Sequence, residues 1–518
     1  MKSSENRQAS SDNVADAQGL VRSGLIPLSR QKRLIALLCL VTAIRIFFFS
    51  AVFPFFNNVD EPYHFDLIWK YSIGQPVFKT DQFNADAQRM IFLFASPEYL
   101  DSDQHFSPVF SLPAVVRGPA LRKFIGSDMD NIEEYSPPLY YFLAGRWLAF
   151  GRAMGLRDGG LLYWCRFLNI PLTVLMVIIA YTLARMIPYR DPAMVFGLPL
   201  LVAFMPQDAF YSLNSDVLSP LPSGIAFILL IRGVSGMNFA LRHYVVLGLS
   251  ISAALLTKLS NLPLLFMTII FLAAKAVVSG RVRISPTSIA RLSAFCLCLL
   301  TPVAAWAVNN FLHIGDWTGT NHKIHELGWT YKHISNFLPH PILSFAGMSY
   351  FLQGLLQTFW RGEFTWHLKP LAIGYMDYFY SVSTIIMLLV VFIAIIRKAI
   401  VMNELVIYKI SLFGIISAIS FIAIISMMYD FGDCFYPSAI KPFFISGRLI
   451  LCMMFPIFLC YTGGIDQLTT KYSKFIKARG IFVVIAICVL ISITEIYIAA
   501  QPFRSPYNFF HIPLGVIN

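Results

Sequence analysis

The chain has 518 residues, of which 57% are hydrophobic and only 13% charged, and it contains 46 phenylalanines. Soluble domains carry roughly 25% charged residues, so this composition excludes a soluble globular protein and points to a helical chain that crosses the membrane many times. The net charge of +12 does not indicate nucleic acid. Most Lys and Arg stand in short loops between apolar runs, where they set the orientation of a membrane protein.

In chain order, the polar segment 1–33 reads as a disordered cytoplasmic tail. Apolar runs then predict about eleven membrane-spanning helices, each near the ~18 residues that a bilayer needs: 34–53, 161–184, 193–212, 215–231, 243–257, 261–279, 288–311, 379–396, 405–428, 446–464 and 480–499. The alternating pattern of β-barrel strands is absent. The fold class is therefore an all-α polytopic membrane protein, with a core over 34–311 and C-terminal spans over 379–499. Segment 136–154 is amphipathic and would set Arg146 or Arg152 near mid-bilayer if it crossed, so it is read as an interfacial helix. With that reading the basic loops fall on one side, the cytoplasm: Arg22, Arg30, Lys32 and Arg33; Arg185 and Arg190; Arg232 and Arg242; Lys275, Arg281 and Arg283; Arg397 and Lys398; Lys471, Lys474, Lys477 and Arg479. The N-terminus is then cytoplasmic, and the segments 54–160 and 312–378 and the tail 500–518 face outward. The eight cysteines lie almost all in apolar runs, as small hydrophobes.

Five outward-facing stretches could carry chemistry. Asp60 and Glu61 follow the first span, before Pro62, with His64 one turn on. One acid there can cap a helix, which leaves the other unexplained. "MPQDAFYSLNSDVLSP" (205–220) holds Asp208, Asn214 and Asp216, either as a polar hairpin or as a second acidic site. Lys258 stands in apolar sequence at a span mouth, as a snorkelling anchor or an anion site. Arg448, after Gly447 and near Lys441, opens a late span and suits a phosphate. "WRGEFTWHLKP" (360–370) carries Arg361, Glu363, Trp366 and His367 and suits carbohydrate stacking or an ordinary folded cap. His313, His322, His325 and His333 form no metal-ligand motif.

These pieces in this order resemble the GT-C superfamily of membrane glycosyltransferases: an anchor, "DEP" at 60–62, Pro137-Pro138-Leu139-Tyr140-Tyr141, a span opening at Arg166, Asp216, Thr257-Lys258 and Gly447-Arg448. "DEPYHF" and "GRL" resemble an uncharacterised bacterial family, number 2142 among the domains of unknown function, although Leu449 stands where that family has tyrosine. The resemblance covers roughly 34–465. It implies a transferase of cell-envelope polysaccharide assembly in a bacterial inner membrane. Such an enzyme moves a sugar from a polyprenyl-phosphate donor to a glycan or glycolipid acceptor at the outer face, among membrane lipids. Asp60 would be the base, Glu61 would position the acceptor or a metal, and Asp216 would be an acceptor-side acid. Lys258 and Arg448 would hold the donor phosphate, with His64, Tyr140 and Arg361 as further substrate contacts. Members of the superfamily work with or without a divalent ion, so either no cofactor is required or Asp60 and Glu61 hold Mg²⁺ or Mn²⁺. The alternatives are a flippase or transporter of lipid-linked saccharides, a polysaccharide polymerase or ligase using a diphosphate donor, and a non-enzymatic scaffold.

Overall fold

A computed structural model describes residues 27–56, 60–75, 82–96, 131–189, 191–234, 239–278, 286–367, 369–400, 402–432, 434, 436–471 and 479–512. Most of the predicted tail, much of the 54–160 segment, residues 513–518, and the basic residues Arg22, Arg190, Arg281, Arg283, Lys474 and Lys477 lie outside the described residues.

The helices run α1 (Leu28–Val52), α2 (Glu61–Ile73), α3 (Ala85–Phe94), α4 (Leu139–Ala153), α5 (Asp158–Arg166), α6 (Asn169–Ala184), α7 (Gly197–Phe204), α8 (Pro220–Val234) and α9 (Leu241–Thr257). They continue with α10 (Leu262–Val278), α11 (Pro286–Ile314), α12 (Thr320–Glu326), α13 (Phe345–Arg361), α14 (Gly374–Ile396), α15 (Met402–Met428), α16 (Met454–Lys471) and α17 (Gly480–Arg504). Among the described residues, eight segments are long and apolar enough to cross a membrane: α1, α5 with α6, α8 with the turn before it, α11, α14, α15, α16 with the turn before it, and α17. The other three predicted spans correspond to shorter apolar helices, Pro192–Phe204, Leu241–Thr257 and Leu259–Ala274. The predicted span 193–212 stops being α-helical at Phe204, because 205–214 turns back in short 3₁₀ steps.

The chain is mostly helical, and beside the helices stand two short ladders. β1 (Thr330–Tyr331) pairs antiparallel with β4 (Tyr429–Asp430), and β2 (Thr365–Trp366) with β3 (Lys369–Pro370). The first ladder ties the 312–378 segment to the end of α15.

Burial shows which helices meet lipid and which form the centre. The segment Gly447–Lys471 has 94% of its apolar window buried, against 17% for α11. A helix that is apolar all round must be enclosed by protein or by lipid; the first is enclosed by its neighbours, and the second presents Leu292, Leu297 and Leu300 outward. α4 is held to α5 by a stacked indole pair. Trp147 and Trp164 lie 4.3 Å apart at 4°, and each indole N–H donates to the other residue's carbonyl, at 2.7 and 2.9 Å. Arg152 of α4 lies over the Trp69 ring of α2 at 4.5 Å, which gives that charge a partner inside the protein.

One ion pair fixes the end of α1. The Arg166 guanidinium has five N–H donors, and every one is used. Nε donates to Glu61 Oε1 at 2.8 Å and Nη2 to Oε2 at 2.7 Å. The others reach the carbonyls of Ser50 (3.2 Å), Phe53 (2.5 Å) and Pro54 (2.9 Å), which α1 cannot satisfy within its own ladder. Glu61 accepts two more bonds, from the Phe56 amide at 2.9 Å and the Leu213 amide at 3.0 Å. Both side chains are fully buried. Removing one partner of such a pair costs about 3–5 kcal/mol, more than removing both. We therefore expect Arg166→Leu or Glu61→Gln to lower the melting temperature in detergent sharply, and the double variant Glu61→Leu/Arg166→Leu to melt above Arg166→Leu alone. Equal melting of Glu61→Gln and the parent chain would contradict this.

Candidate active site

The end of the bundle where α1 stops also receives the segments before α4 and α8 and after α9 and α11, and the turn that leads into α16. Four sequence-predicted residues meet there. Arg448 Nη2 lies 2.7 Å from Asp60 Oδ2, and its Nε is 3.7 Å from Asp216 Oδ2. Lys258 Nζ lies 2.5 Å from the same Asp216 oxygen.

Local structure explains why each side chain stands there. Asp60 has φ +69, a left-handed conformation that Asp tolerates better than most residues. It makes no side-chain bond to the helix amides that follow it, so the cap expected of this acid is not formed. Glu61 points into the Arg166 pair while Asp60 meets Arg448, and the two neighbouring carboxylates serve different networks. Asp216 opens a short 3₁₀ turn whose entry is capped by Asn214, with Oδ1 accepting from the Asp216 amide at 2.8 Å. Lys258 ends α9 in extended backbone. Arg448 lies in the 3₁₀ turn Gly447–Met453. Gly447 is required because a Cβ there would run into the backbone of Phe359, and its amide donates to Thr358 Oγ1 at 2.8 Å.

The structure adds residues that sequence reasoning had not given roles. Glu363 Oε2 is 3.5 Å from Arg448 Nε and accepts from Ser446 Oγ at 2.5 Å. The Glu363 amide donates to Asp208 Oδ2 at 2.7 Å. Gly362 between them has φ +77 and packs where any side chain would strike the Asp208 carboxylate. Lys323 of α12 pairs with Glu133, whose other oxygen accepts from Ser136 at 2.5 Å. The only sequence signals for these were charged residues in aromatic loops, which does not separate them from a solvated surface.

Several expected roles change. Glu61 is fully buried with both oxygens occupied; it cannot meet an acceptor or share a metal with Asp60. No group of three His, Cys, Asp or Glu side chains among the described residues is placed to hold a metal ion. Tyr140 is buried in the core, 1% exposed. His64 is 2% exposed, and its Nδ1 is bonded to the Tyr141 hydroxyl at 2.8 Å. Arg361 pairs with Asp377 at 2.7 Å and lines a separate cleft.

The electrostatics favour charged partners around a neutral histidine. Burial raises the Asp60 carboxyl, but the charges of Arg448 and Lys323 outweigh it and hold the group below its ordinary range. Glu133 is likewise held down, burial being overcome by Lys323 and then His64. Asp208 is pushed up to about 6 by burial and the neighbouring Glu363 charge. His64 falls to about 4, chiefly through burial, with Glu133 and Asp60 opposing and Lys258 and Arg448 reinforcing the shift. Some buried atoms remain without a hydrogen-bond partner: Arg448 Nε and Nη1, Asp216 Oδ1, Asp208 Oδ1 and Asn214 Nδ2. Such atoms stand elsewhere in the fold too, at Trp69, Tyr163 and Ser252 among others. Arg448 and Lys258 are cations held by carboxylates that an incoming anion can replace.

No protein-family model matches the chain, so the resemblance to the uncharacterised bacterial family gains no support. No curated protein matches it either. Among solved structures, one that matches is the crystal structure of ArnT from Cupriavidus metallidurans bound to undecaprenyl phosphate. The identity is 12% and the TM-score 0.34, over 85% of this chain and 78% of that one. That likeness is too loose to carry chemistry from one chain to the other.

The histidine gives a pH test. Its folded pKa, about 4, lies below the ordinary 6.5, so between these values the unfolded chain takes up a proton that the fold refuses. Stability is then full above pH 6.5 and falls as pH drops toward 4, by up to about 3 kcal/mol. We expect His64→Gln to flatten that part of the melting-temperature profile. An unchanged slope in the variant would mean that His64 is protonated in the fold.

Proposed function

We propose that the chain is a membrane glycosyltransferase of GT-C type, moving a sugar from a polyprenyl-phosphate donor to a cell-envelope acceptor at the outer face of a bacterial inner membrane. The observation that carries this reading is the meeting of Asp60, Asp216, Lys258 and Arg448, from four distant stretches of sequence, in one ion cluster at one end of a helical bundle. The described basic loop residues Arg185, Arg232, Arg242, Arg397, Lys398, Lys471 and Arg479 lie at the opposite helix ends. That supports an outward-facing cluster under the positive-inside rule.

In the reaction the donor phosphate takes the place of carboxylates on Lys258 and Arg448. An arginine fork can bind two phosphate oxygens at once; Arg448 Nη1 has no hydrogen-bond partner, and Nε meets Glu363 and Asp216 only as ion pairs at 3.5 and 3.7 Å. Asp60, released from Arg448, loses the charge that held its pKa down and becomes a stronger base. It accepts the proton of an acceptor hydroxyl as that oxygen attacks the sugar's anomeric carbon. The bond from that carbon to the phosphate oxygen breaks, and the electron pair leaves with the lipid phosphate. Lys258 and Arg448 stabilise the charge that grows there. Asp216 holds Lys258 in place between turnovers. Glu363, against Arg448 and Ser446, limits where the guanidinium can swing. The cluster supplies base and cations from its own side chains, and the reading is of a metal-independent transferase.

Loss of a positioned base typically costs about 10²–10⁴ in rate. We expect Asp60→Asn to lose transfer of labelled sugar from a polyprenyl-phosphate donor by that order, in detergent, with its melting temperature unchanged. Lys258→Gln should raise the donor KM, and EDTA should leave the rate unaltered. Retained transfer in Asp60→Asn rejects the assignment of the base. Product from a diphosphate donor alone would favour a polymerase or ligase, and absence of product in a single detergent phase would favour a transporter.

A further inference from the structure

Two adjacent residues of the 205–214 turn hold the end of α13 and the chain that leaves it. Gln207 Nε2 donates to the carbonyls of Thr358 and Phe359, at 2.9 and 2.7 Å, in the last turn of the helix. Asp208 Oδ2 accepts the Glu363 amide at 2.7 Å, and Gly362, at φ +77, packs so closely on the same carboxylate that a Cβ would run into it. The held turn carries the approach to Arg448 in its own right. Thr358 Oγ1 donates to the Ile445 carbonyl and accepts the Gly447 amide at 2.8 Å. Ser446 Oγ donates to Glu363 at 2.5 Å, and Glu363 stands 3.5 Å from Arg448 Nε. One residue, Glu363, thus links Asp208 to the guanidinium, by its amide on one side and its carboxylate on the other.

Holding this backbone needs one acceptor atom, which the carbonyl of an asparagine would supply. Asp208 instead supplies a wholly buried carboxylate whose Oδ1 has no hydrogen-bond partner. A buried charge is costly to keep, and this one stands within electrostatic reach of an arginine. The charged groups facing it are Glu363 and, from the turn into α16, Arg448; Asp60 and Asp216 meet the same guanidinium from other segments. Burial and the Glu363 charge push the Asp208 carboxyl up to about 6, against the pull of Arg448. Asp208 is therefore charged above that pH and neutral below it, while Asp60 is held below its ordinary range.

We propose that Asp208 is a positioning residue of the donor-phosphate site: it sets the Glu363 carboxylate against Arg448, and its charge is one of those that oppose an arriving phosphate at that guanidinium. This rests on the transferase reading. A polyprenyl-phosphate sugar is a phosphodiester with a single acidic proton, lost far below neutral pH, so its own ionisation adds no pH dependence near 6. Donor binding is then tightest where Asp208 is neutral and weakens as pH rises through about 6.

The test is binding of geranylgeranyl phosphoglucose, a phosphodiester probe, to the full chain in detergent, followed by microscale thermophoresis between about pH 5 and 8. The parent chain should bind about tenfold more weakly at the upper limit, the effect of one nearby charge. Asp208→Asn removes the charge but keeps an acceptor for the Glu363 amide, so its profile should be flat and as tight throughout as the parent at the lower limit. Asp208→Ala removes the same charge and the acceptor too. Its profile should also be flat, but about threefold or more weaker than that of Asp208→Asn, the loss of one hydrogen bond. That difference between the two variants should vanish in a Glu363→Ala background, because the positioning acts through Glu363. A parental pH slope in Asp208→Asn, equal binding by Asp208→Asn and Asp208→Ala, or a difference that survives in Glu363→Ala overturns the proposal. Loss of probe binding in Lys258→Gln beside a parental slope in Asp208→Asn removes this proposal and leaves the transferase reading standing. Probe binding indifferent to Lys258→Gln counts against the donor site itself, and this proposal falls with it.

Discussion

Everything at the functional end of this protein depends on the Glu61–Arg166 pair. Five donors of one guanidinium finish α1, hold the turn that follows it and fix the first residue of α2. The same carboxylate takes the Leu213 amide, three residues before Asp216. One buried interaction thus sets the positions of two acids of the cluster, Asp60 on one side and Asp216 on the other. A buried pair is costly to desolvate and often contributes little net stability. Its use here is registration: with Glu61 locked inward, the left-handed backbone of Asp60 turns the neighbouring carboxylate toward Arg448.

The cluster itself is balanced rather than locked. Asp60, Asp216 and Glu363 surround Arg448, and Asp216 also holds Lys258. Cations held this way keep a place for a phosphate without leaving bare charge in a low-dielectric site. Replacing protein carboxylates with a ligand phosphate exchanges one anion for another, so little desolvation is added. Next to the cluster, Arg361 turns to Asp377 and Glu363 to Arg448, and Gly362 between them lets the backbone press against Asp208.

Much of the architecture was legible from hydrophobicity and charge. Each of the predicted apolar runs contains helix, because a run of that length has no other way to satisfy its backbone in lipid. The run 193–212 is interrupted by the polar turn at Gln207–Asn214, where apolar content alone does not reveal the bend. Sidedness and the resemblance to a known superfamily put Asp60, Asp216, Lys258 and Arg448 on one face; their pairing as ions was not legible, because it joins four distant stretches. Glu61 was misread because adjacency in sequence says nothing about direction: its partner, Arg166, lies 105 residues away. Arg361 was assigned to the same site as Arg448 for want of any sequence signal that Glu363, two residues later, faces the other way. Glu133 comes from a turn and Lys323 from the two-turn helix α12, both too short for periodicity to encode their packing.

The most direct test is an experimental structure of the full chain with a polyprenyl phosphate bound. The account predicts phosphate oxygens on Lys258 Nζ and the Arg448 guanidinium, with Asp60 turned off Arg448 and the Glu61–Arg166 pair unchanged. A phosphate bound elsewhere, with the Asp60–Arg448 and Asp216–Lys258 pairs still intact, would contradict it.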